Sequence, residues 1–206
     1  MLKEYLKKIW NFIWHDDSPL SFAANILIAI ILIQFVIYPL LGLVLGTQYP
    51  VVAIVSGSME HNGAPFDDWW EIKQMEYAPF GIIYSNFNDF RFKNGLNKGD
   101  VVFLTRPNNL KVGDIIVFTA NQQEPIIHRI VYIDDTGDIP LYTTKGDANA
   151  IPMNDPRVSE INIVPERIIG KASMRIPYVG YVKIGWTCLI DTIAGRGCGE
   201  PTNQPE

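Results

Sequence analysis

The sequence predicts a mainly β protein with one membrane-spanning helix near its N-terminus. Two observations predict this fold class. Residues 18–59 contain no charged side chain, and the second half holds several short β-branched runs separated by turns. The chain has 206 residues, a length that fits one domain with attached segments. Hydrophobic residues make up 48% and charged residues 19%, which shifts the composition toward that of membrane proteins. By pattern alone, the second half is a β-rich barrel or sandwich.

The apolar stretch from residue 22 to residue 45 is long enough to cross a bilayer. Its polar interruptions are Asn25, Gln34 and Tyr38. A secretory signal peptide would have a shorter apolar region followed by a good cleavage site, and residues 42–48 offer a poor one. We therefore predict a retained transmembrane helix at 18–46, which Pro39 is expected to kink or end.

The first 17 residues form a predicted cytoplasmic amphipathic segment. Apolar side chains recur there at helical spacing, while Lys3, Lys7 and Lys8 lie apart from them. Such a helix would lie along a membrane surface, although docking on protein is the alternative. The positive-inside rule places these lysines, and so the N-terminus, in the cytoplasm. The protein is then single-pass, with everything after the helix on the extracytoplasmic side.

The β-rich domain is predicted at 47–185. Strands are expected at 101–104, 115–118, 126–133, 141–144, 168–176 and 181–184, two of them launched by Gly-Asp turns. Residues 61–97 are rich in aromatic and acidic side chains and are predicted to form a mostly irregular insertion with one short helix at 67–75. The tail at 186–206 could touch the membrane interface. The tail contains both cysteines of the chain, Cys188 and Cys198. A disulfide between them is possible but not required.

A candidate nucleophile follows an apolar run at 51–55. The stretch Ser56-Gly57-Ser58-Met59 ends this run abruptly, so a strand would deliver the Ser58 hydroxyl to a sharp turn. A serine in a turn often only bonds its own backbone, which is the alternative for both serines.

The candidate general base is His128, within the apolar run at 126–131. A neutral imidazole near pH 7 can take a serine proton and return it to a leaving amine. A buried structural histidine is the alternative interpretation. His61 and Lys145 are rival bases, the first because it is close to Ser58 in sequence and the second because serine-lysine dyads exist.

Three short boxes, in this order behind a membrane anchor, resemble the signal peptidase I family, in its archaeal and endoplasmic-reticulum branch. They are Ser56-Gly57-Ser58-Met59, His128-Arg129 and Gly146-Asp147-Ala148-Asn149. The resemblance implies a compact antiparallel β catalytic domain with an apolar surface around the active site. It also implies that Ser58 is the nucleophile, and that the Ser56 hydroxyl joins the Ser58 N–H in an oxyanion hole.

Orientation of His128 requires an acceptor on its other ring nitrogen, and Asp147 and Asp155 are the candidates. The resemblance implies function for both aspartates and pairing of the later one with histidine. The interval before Asp155 is longer than the family pattern. We rank Asp155 first because Asp147, in a tight turn at 145–147, is well placed to order its loop.

The resulting expectation is a serine endopeptidase in the cell or endoplasmic-reticulum membrane that removes signal peptides after small residues. Its expected partners are secretory preproteins, the lipid bilayer and a membrane protein complex, and no metal or organic cofactor is implied. The net charge of −5 argues against a nucleic-acid partner. Two alternatives stay open: a tethered, non-catalytic β-domain that binds extended peptides, and a self-cleaving protease that uses Lys145.

Overall fold

The computed structural model of the protein describes residues 2–122 and 124–179. The chain divides into two compact units, Met1–Gln48 and a second unit that begins at Tyr49. The predicted strand at 181–184, the tail at 186–206 and both cysteines lie outside the described residues.

The first unit is helical. Helix α1 spans Leu2–His15 and α2 spans Pro19–Leu32, continued by a π-helical turn at Ile33–Ile37 and by α3 at Tyr38–Leu45. The continuous apolar helix from Pro19 to Leu45 has 27 residues and is long and apolar enough to cross a membrane, which confirms the predicted N-terminal apolar helix. Asn25, polar within this span, donates its side-chain N–H to the carbonyl of Ile13 at 2.9 Å.

Pro39 does not end this helix. The π-helical turn lies immediately before α3 and changes the hydrogen-bond register there. Proline has no N–H to donate, and its ring crowds the carbonyl four residues earlier, so a wider turn at this point accommodates it. The helix ends instead at Leu45, followed by Gly46 with φ of 68°.

The second unit contains one six-stranded sheet in the order β1-β2-β6-β3-β4-β5, with every neighbouring pair antiparallel. The strands are β1 Val51–Ala53, β2 Val101–Thr105, β3 Ile115–Phe118, β4 Ile126–Asp134, β5 Leu141–Lys145 and β6 Ile168–Ile176. The predicted antiparallel β domain is confirmed, with the last five strands within a residue of their expected bounds. β1 is shorter than the apolar run that predicted it.

Strand β4 positions the site because it is buried on both of its faces. Residues 126–131 are all buried, and side chains alternate between faces along a strand. Ile126 and Ile130 belong to a core cluster with Phe118 and Ile163, whereas Ile127 packs in another cluster with Ile54 and Met59. His128 and Arg129 therefore leave β4 on opposite faces.

The insertion is more ordered than predicted. Helix α4 spans Phe66–Tyr77, a 3-10 turn follows at Ala78–Phe80, and α5 spans Tyr84–Asn88. The aromatic side chains pack on one another around Phe87, which has no solvent exposure, and on Val131 of β4. Their mutual packing gives the insertion a core of its own, and this is why an acidic and irregular-looking stretch is helical.

Candidate active site

The turn that carries Ser58 is fixed at both ends. The N–H of Ile54 bonds to the carbonyl of Asp100 at 2.8 Å, and the carbonyl of Met59 accepts from Leu96 at 2.9 Å. The side chains of Ile54 and Met59 are both buried in the core. Ser56 and Gly57 are exposed and Ser58 is half-buried between these anchors, so its hydroxyl is held at the surface of the domain.

The structure brings His128 to Ser58 across 70 positions of sequence. Nε2 of His128 lies 2.8 Å from Oγ of Ser58, and the residue is 1% exposed. A hydroxyl at this distance from an unprotonated imidazole nitrogen can pass its proton to that nitrogen as it attacks.

The second ring nitrogen of His128 bonds to Glu160. Nδ1 contacts Oε1 of Glu160, which also accepts from the hydroxyl of Thr144 at 3.0 Å. The backbone N–H of Met153 donates to Oε2 at 2.6 Å, and Glu160 is completely buried. Every oxygen of this carboxylate therefore has a donor, which fixes its orientation toward the imidazole.

This contact corrects the sequence-based expectation, which gave it to Asp155 or Asp147. Glu160 belongs to none of the short boxes, and a glutamate in the segment 158–161 carries no signal of its own. Its position is set by a backbone bond from the N–H of Thr144 to the Glu160 carbonyl, at 2.9 Å, which aligns it with β5. Only the tertiary pairing of these two segments identifies it.

Asp155 is exposed and caps a turn. Its Oδ1 accepts from the backbone N–H groups of Arg157, at 2.8 Å, and Val158, at 3.0 Å. The bonds from Val158 and then Arg157 lower the pKa of Asp155. The turn returns the chain so that the Glu160 N–H meets the Met153 carbonyl at 2.9 Å. Asp155 thus supports the turn that delivers Glu160 and does not contact His128 itself.

Asp147 is the centre of a buried polar cluster. Arg129 donates to its two oxygens from Nε at 2.9 Å and Nη2 at 2.6 Å. The hydroxyl of Tyr77 donates at 2.9 Å, and Nε2 of His61 lies at 3.1 Å. Burial alone would raise the pKa of Asp147, but the charge and hydrogen bonds of Arg129 outweigh it and hold the pKa well below its usual range. This carboxylate stays ionised and orders the loop on which it stands.

Replacing Asp147 by asparagine is expected to destabilise the protein at neutral pH by about 3–5 kcal/mol, because the Arg129 charge loses its buried partner. Since the folded-state pKa lies below the unfolded value of about 4, the carboxylate contributes its full stability above that pH and loses it as the pH falls further. Thermal unfolding of both proteins between about pH 2 and 7 measures this. The stability gap should narrow on acidification, and a gap that stays constant would contradict the assignment.

The two rival bases are engaged elsewhere. Nζ of Lys145 donates to the carbonyls of Asn149, at 2.6 Å, and Gly146, at 3.1 Å, and burial lowers the pKa of Lys145 against the opposing charges of Asp147 and Glu76. His61 bonds to Asp147 and stacks on Trp69 with ring centroids 3.6 Å apart. Of the three candidates, His128 is the one that bonds to Ser58.

Ser56 lies beside the nucleophile. Its hydroxyl oxygen is 3.2 Å from Oγ of Ser58. A carbonyl attacked by Ser58 would develop its negative charge within reach of such a hydroxyl. The oxyanion role that the family resemblance implies for Ser56 stays a prediction.

A cavity of about 220 Å³ opens at Ser58 and His128. It is lined by the chain from Val52 to Ser56 and by both apolar and charged side chains, among them Val117, Ile127, Glu124 and Arg157. A cavity of this size has room for small side chains next to the reactive hydroxyl.

Together, a serine bonded to a histidine that is itself bonded to a buried carboxylate defines a serine hydrolase with a serine, histidine and acid site. No protein-family model matches the chain. It is 34% identical over 116 residues to the signal peptidase complex catalytic subunit SEC11 of Lachancea thermotolerans, covering 52% of this chain and 66% of that protein. This relative agrees with the resemblance to the signal peptidase I family that the three short boxes carry.

Other relatives carry the same name. SEC11 of Scheffersomyces stipitis is 27% identical over 154 residues, which cover 73% of each chain. Human SEC11C is 28% identical over 145 residues, covering 68% of this chain and 58% of the human protein. The matched region therefore spans between 58% and 73% of the length of these relatives.

Proposed function

We propose that this chain is a membrane-bound signal peptidase that removes signal peptides from secreted preproteins, cutting after small residues. The observation that carries the proposal is the 2.8 Å contact between Oγ of Ser58 and Nε2 of His128, in the lining of a cavity of about 220 Å³. Relatives named as catalytic subunits of a signal peptidase complex support the same reaction.

In the proposed mechanism, His128 takes the proton of Ser58 while Oγ attacks the carbonyl carbon of the scissile bond. Glu160 accepts from Nδ1–H, so that Nε2 is the unprotonated nitrogen, and it stabilises the imidazolium that forms. His128 then gives the proton to the leaving amine, which becomes the new N-terminus of the mature protein. Water, deprotonated by His128, hydrolyses the remaining ester, and the signal peptide leaves as a carboxylic acid.

The tetrahedral intermediate needs donors for its oxyanion. The Ser58 backbone N–H and the Ser56 hydroxyl are our candidates, and loss of one such donor costs about 3 kcal/mol in the barrier. An alanine at Ser56 is therefore expected to lower kcat by about 100-fold while leaving KM nearly unchanged, since the bond strengthens only in the transition state. Steady-state kinetics measure this, and unchanged kcat would remove Ser56 from the oxyanion hole.

The substrate binds extended in this proposal. β1 pairs with β2 and has no second partner among the described strands, so its other edge is open for an added strand. A peptide in that position would run along residues 52–56, with its last residues before the cut facing the cavity.

Tryptophan placed just before the cut should block processing, because its side chain exceeds the space beside Ser58 and His128. We expect a loss of about 100-fold or more in kcat/KM relative to alanine at that position. The same tryptophan several residues after the cut serves as the control and should leave processing intact. Equal processing of both would indicate a protease of different specificity.

The membrane arrangement is also part of the proposal. Helix α1 has exposed apolar side chains that include Tyr5, Leu6 and Trp10, as a helix on a membrane surface would. With Lys3, Lys7 and Lys8 in the cytoplasm, the catalytic unit would lie on the opposite side, next to emerging preproteins. Protease added to sealed vesicles whose extracytoplasmic face is outward tests this. It should digest the unit that begins at Tyr49 and leave α1 protected.

The test of the function uses the full chain in detergent, mixed with a preprotein of known cleavage site. Appearance of the mature protein, with its N-terminus at that site, is the expected result. A preprotein that stays intact, with the catalyst folded, would reject the proposal.

A further inference from the structure

Helix α4 of the insertion contacts the loop at residues 145–149, which begins at the last residue of β5, at three points. Nζ of Lys73 donates to the carbonyl of Ala148 at 3.0 Å, and the hydroxyl of Tyr77 donates to Asp147 at 2.9 Å. Glu76 pairs with Lys145 at 3.4 Å. These contacts join positions about 70 residues apart and come from one side of a single helix.

The same loop touches both reacting residues. The N–H of Ala148 bonds to the carbonyl of Ser58 at 2.8 Å. Gly146 is packed so closely that a Cβ there would lie 2.7 Å from that carbonyl oxygen and 2.9 Å from Nε2 of His128. Any displacement of the loop would therefore change the position of Ser58 relative to His128.

The insertion is built to hold this loop firmly. Tyr77 has no solvent exposure, and its ring packs against Trp70 and Phe87. Burial, and then the charge of Asp147, raise the pKa of Tyr77, so its hydroxyl remains a donor to that carboxylate. Lys73 is held by Glu76 at 2.8 Å on the same helix.

We propose that α4 is a clamp that positions Ser58 and His128 through the loop at 145–149, with Lys73 and Tyr77 as its positioning residues. The inference rests on the proposed hydrolysis at Ser58. It gives the aromatic insertion a part in catalysis, since a displacement of about 1 Å at a reacting atom can cost about 100-fold in rate.

Lys73→Met tests the clamp because it keeps the aliphatic stem and removes the donor. We expect kcat to fall about 10-fold with KM unchanged, and Lys73→Arg to restore most of the loss. Lys93→Met is the matched control: Lys93 belongs to the same insertion but bonds to Asn88 and lies over the ring of Phe66, away from the loop. Its kcat should stay at the wild-type value.

A second readout does not depend on turnover. Hydrogen exchange at the Ala148 amide, which bonds to Ser58, should be faster in Lys73→Met and in Tyr77→Phe than in Lys93→Met. Equal exchange rates in the three variants would contradict the clamp. An equal loss of kcat in Lys73→Met and Lys93→Met would contradict it too. If the wild-type chain cleaved no preprotein, the proposed function would fail, while the exchange comparison would still decide whether α4 holds the loop.

Discussion

Ser58→Ala is expected to abolish preprotein cleavage, with a loss of roughly 10⁴- to 10⁶-fold in kcat. The substitution removes the attacking oxygen, and because Ser58 is half-buried in a turn fixed by Ile54 and Met59, the fold should be unaffected. Release of mature protein from a preprotein measures the first effect and thermal unfolding the second.

His128→Ala should be comparably inactive, and combining it with Ser58→Ala should add little further loss, because members of one catalytic unit fail together. His61→Ala is the matched histidine control. It disturbs the Asp147 cluster and should lower stability while leaving measurable turnover. Near wild-type cleavage by the Ser58→Ala protein would remove Ser58 as the nucleophile.

Glu160→Gln is expected to lower kcat by about 10³- to 10⁴-fold, comparable to loss of the acid in other sites of this class. The reason lies in the donors around the carboxylate. The Met153 N–H requires an acceptor on one oxygen, at 2.6 Å, so the glutamine oxygen takes that place. The amide NH₂ group then faces Nδ1 of His128 and stabilises the tautomer that carries its proton on Nε2.

That tautomer cannot accept the Ser58 proton, which explains so large an effect from a nearly isosteric change. Asp155→Asn is the control, because Asp155 contacts backbone N–H groups of its own turn and not the imidazole. Its activity should stay within about 10-fold of wild type, with a modest loss of stability. An inactive Asp155→Asn protein beside an active Glu160→Gln protein would return the acid role to Asp155.

The strands and the pair Ser58 and His128 could be predicted because each depends on local pattern. β-branched runs and Gly-Asp turns indicate where strands begin. The serine after one apolar run and the histidine within another were candidates by their neighbours, and the family resemblance favoured the catalytic interpretation of both. The family resemblance implied that they act together, and the structure places Oγ of Ser58 2.8 Å from Nε2 of His128.

Glu160 could not be predicted in this way. Its place depends on how the turn at 155–158 returns the chain toward β5, and the sequence does not determine the register of so short a pairing. Asp155 was ranked first as the partner of His128, because it is the later aspartate after the Gly146-Asp147-Ala148-Asn149 box. Its carboxylate instead accepts backbone N–H groups of its own turn. The order of the insertion was missed for a related reason, since its helices depend on ring packing between α4 and α5.

The most direct test of the account is identification of the residue that becomes acylated. The full chain in detergent is mixed with a preprotein, stopped in acid within the first turnover, digested and analysed by mass spectrometry. We predict the signal-peptide fragment as an ester on Ser58 in the wild-type protein, and no adduct in the His128→Ala protein. Mature protein released with the adduct on another residue, or released undiminished by Ser58→Ala, would contradict the account.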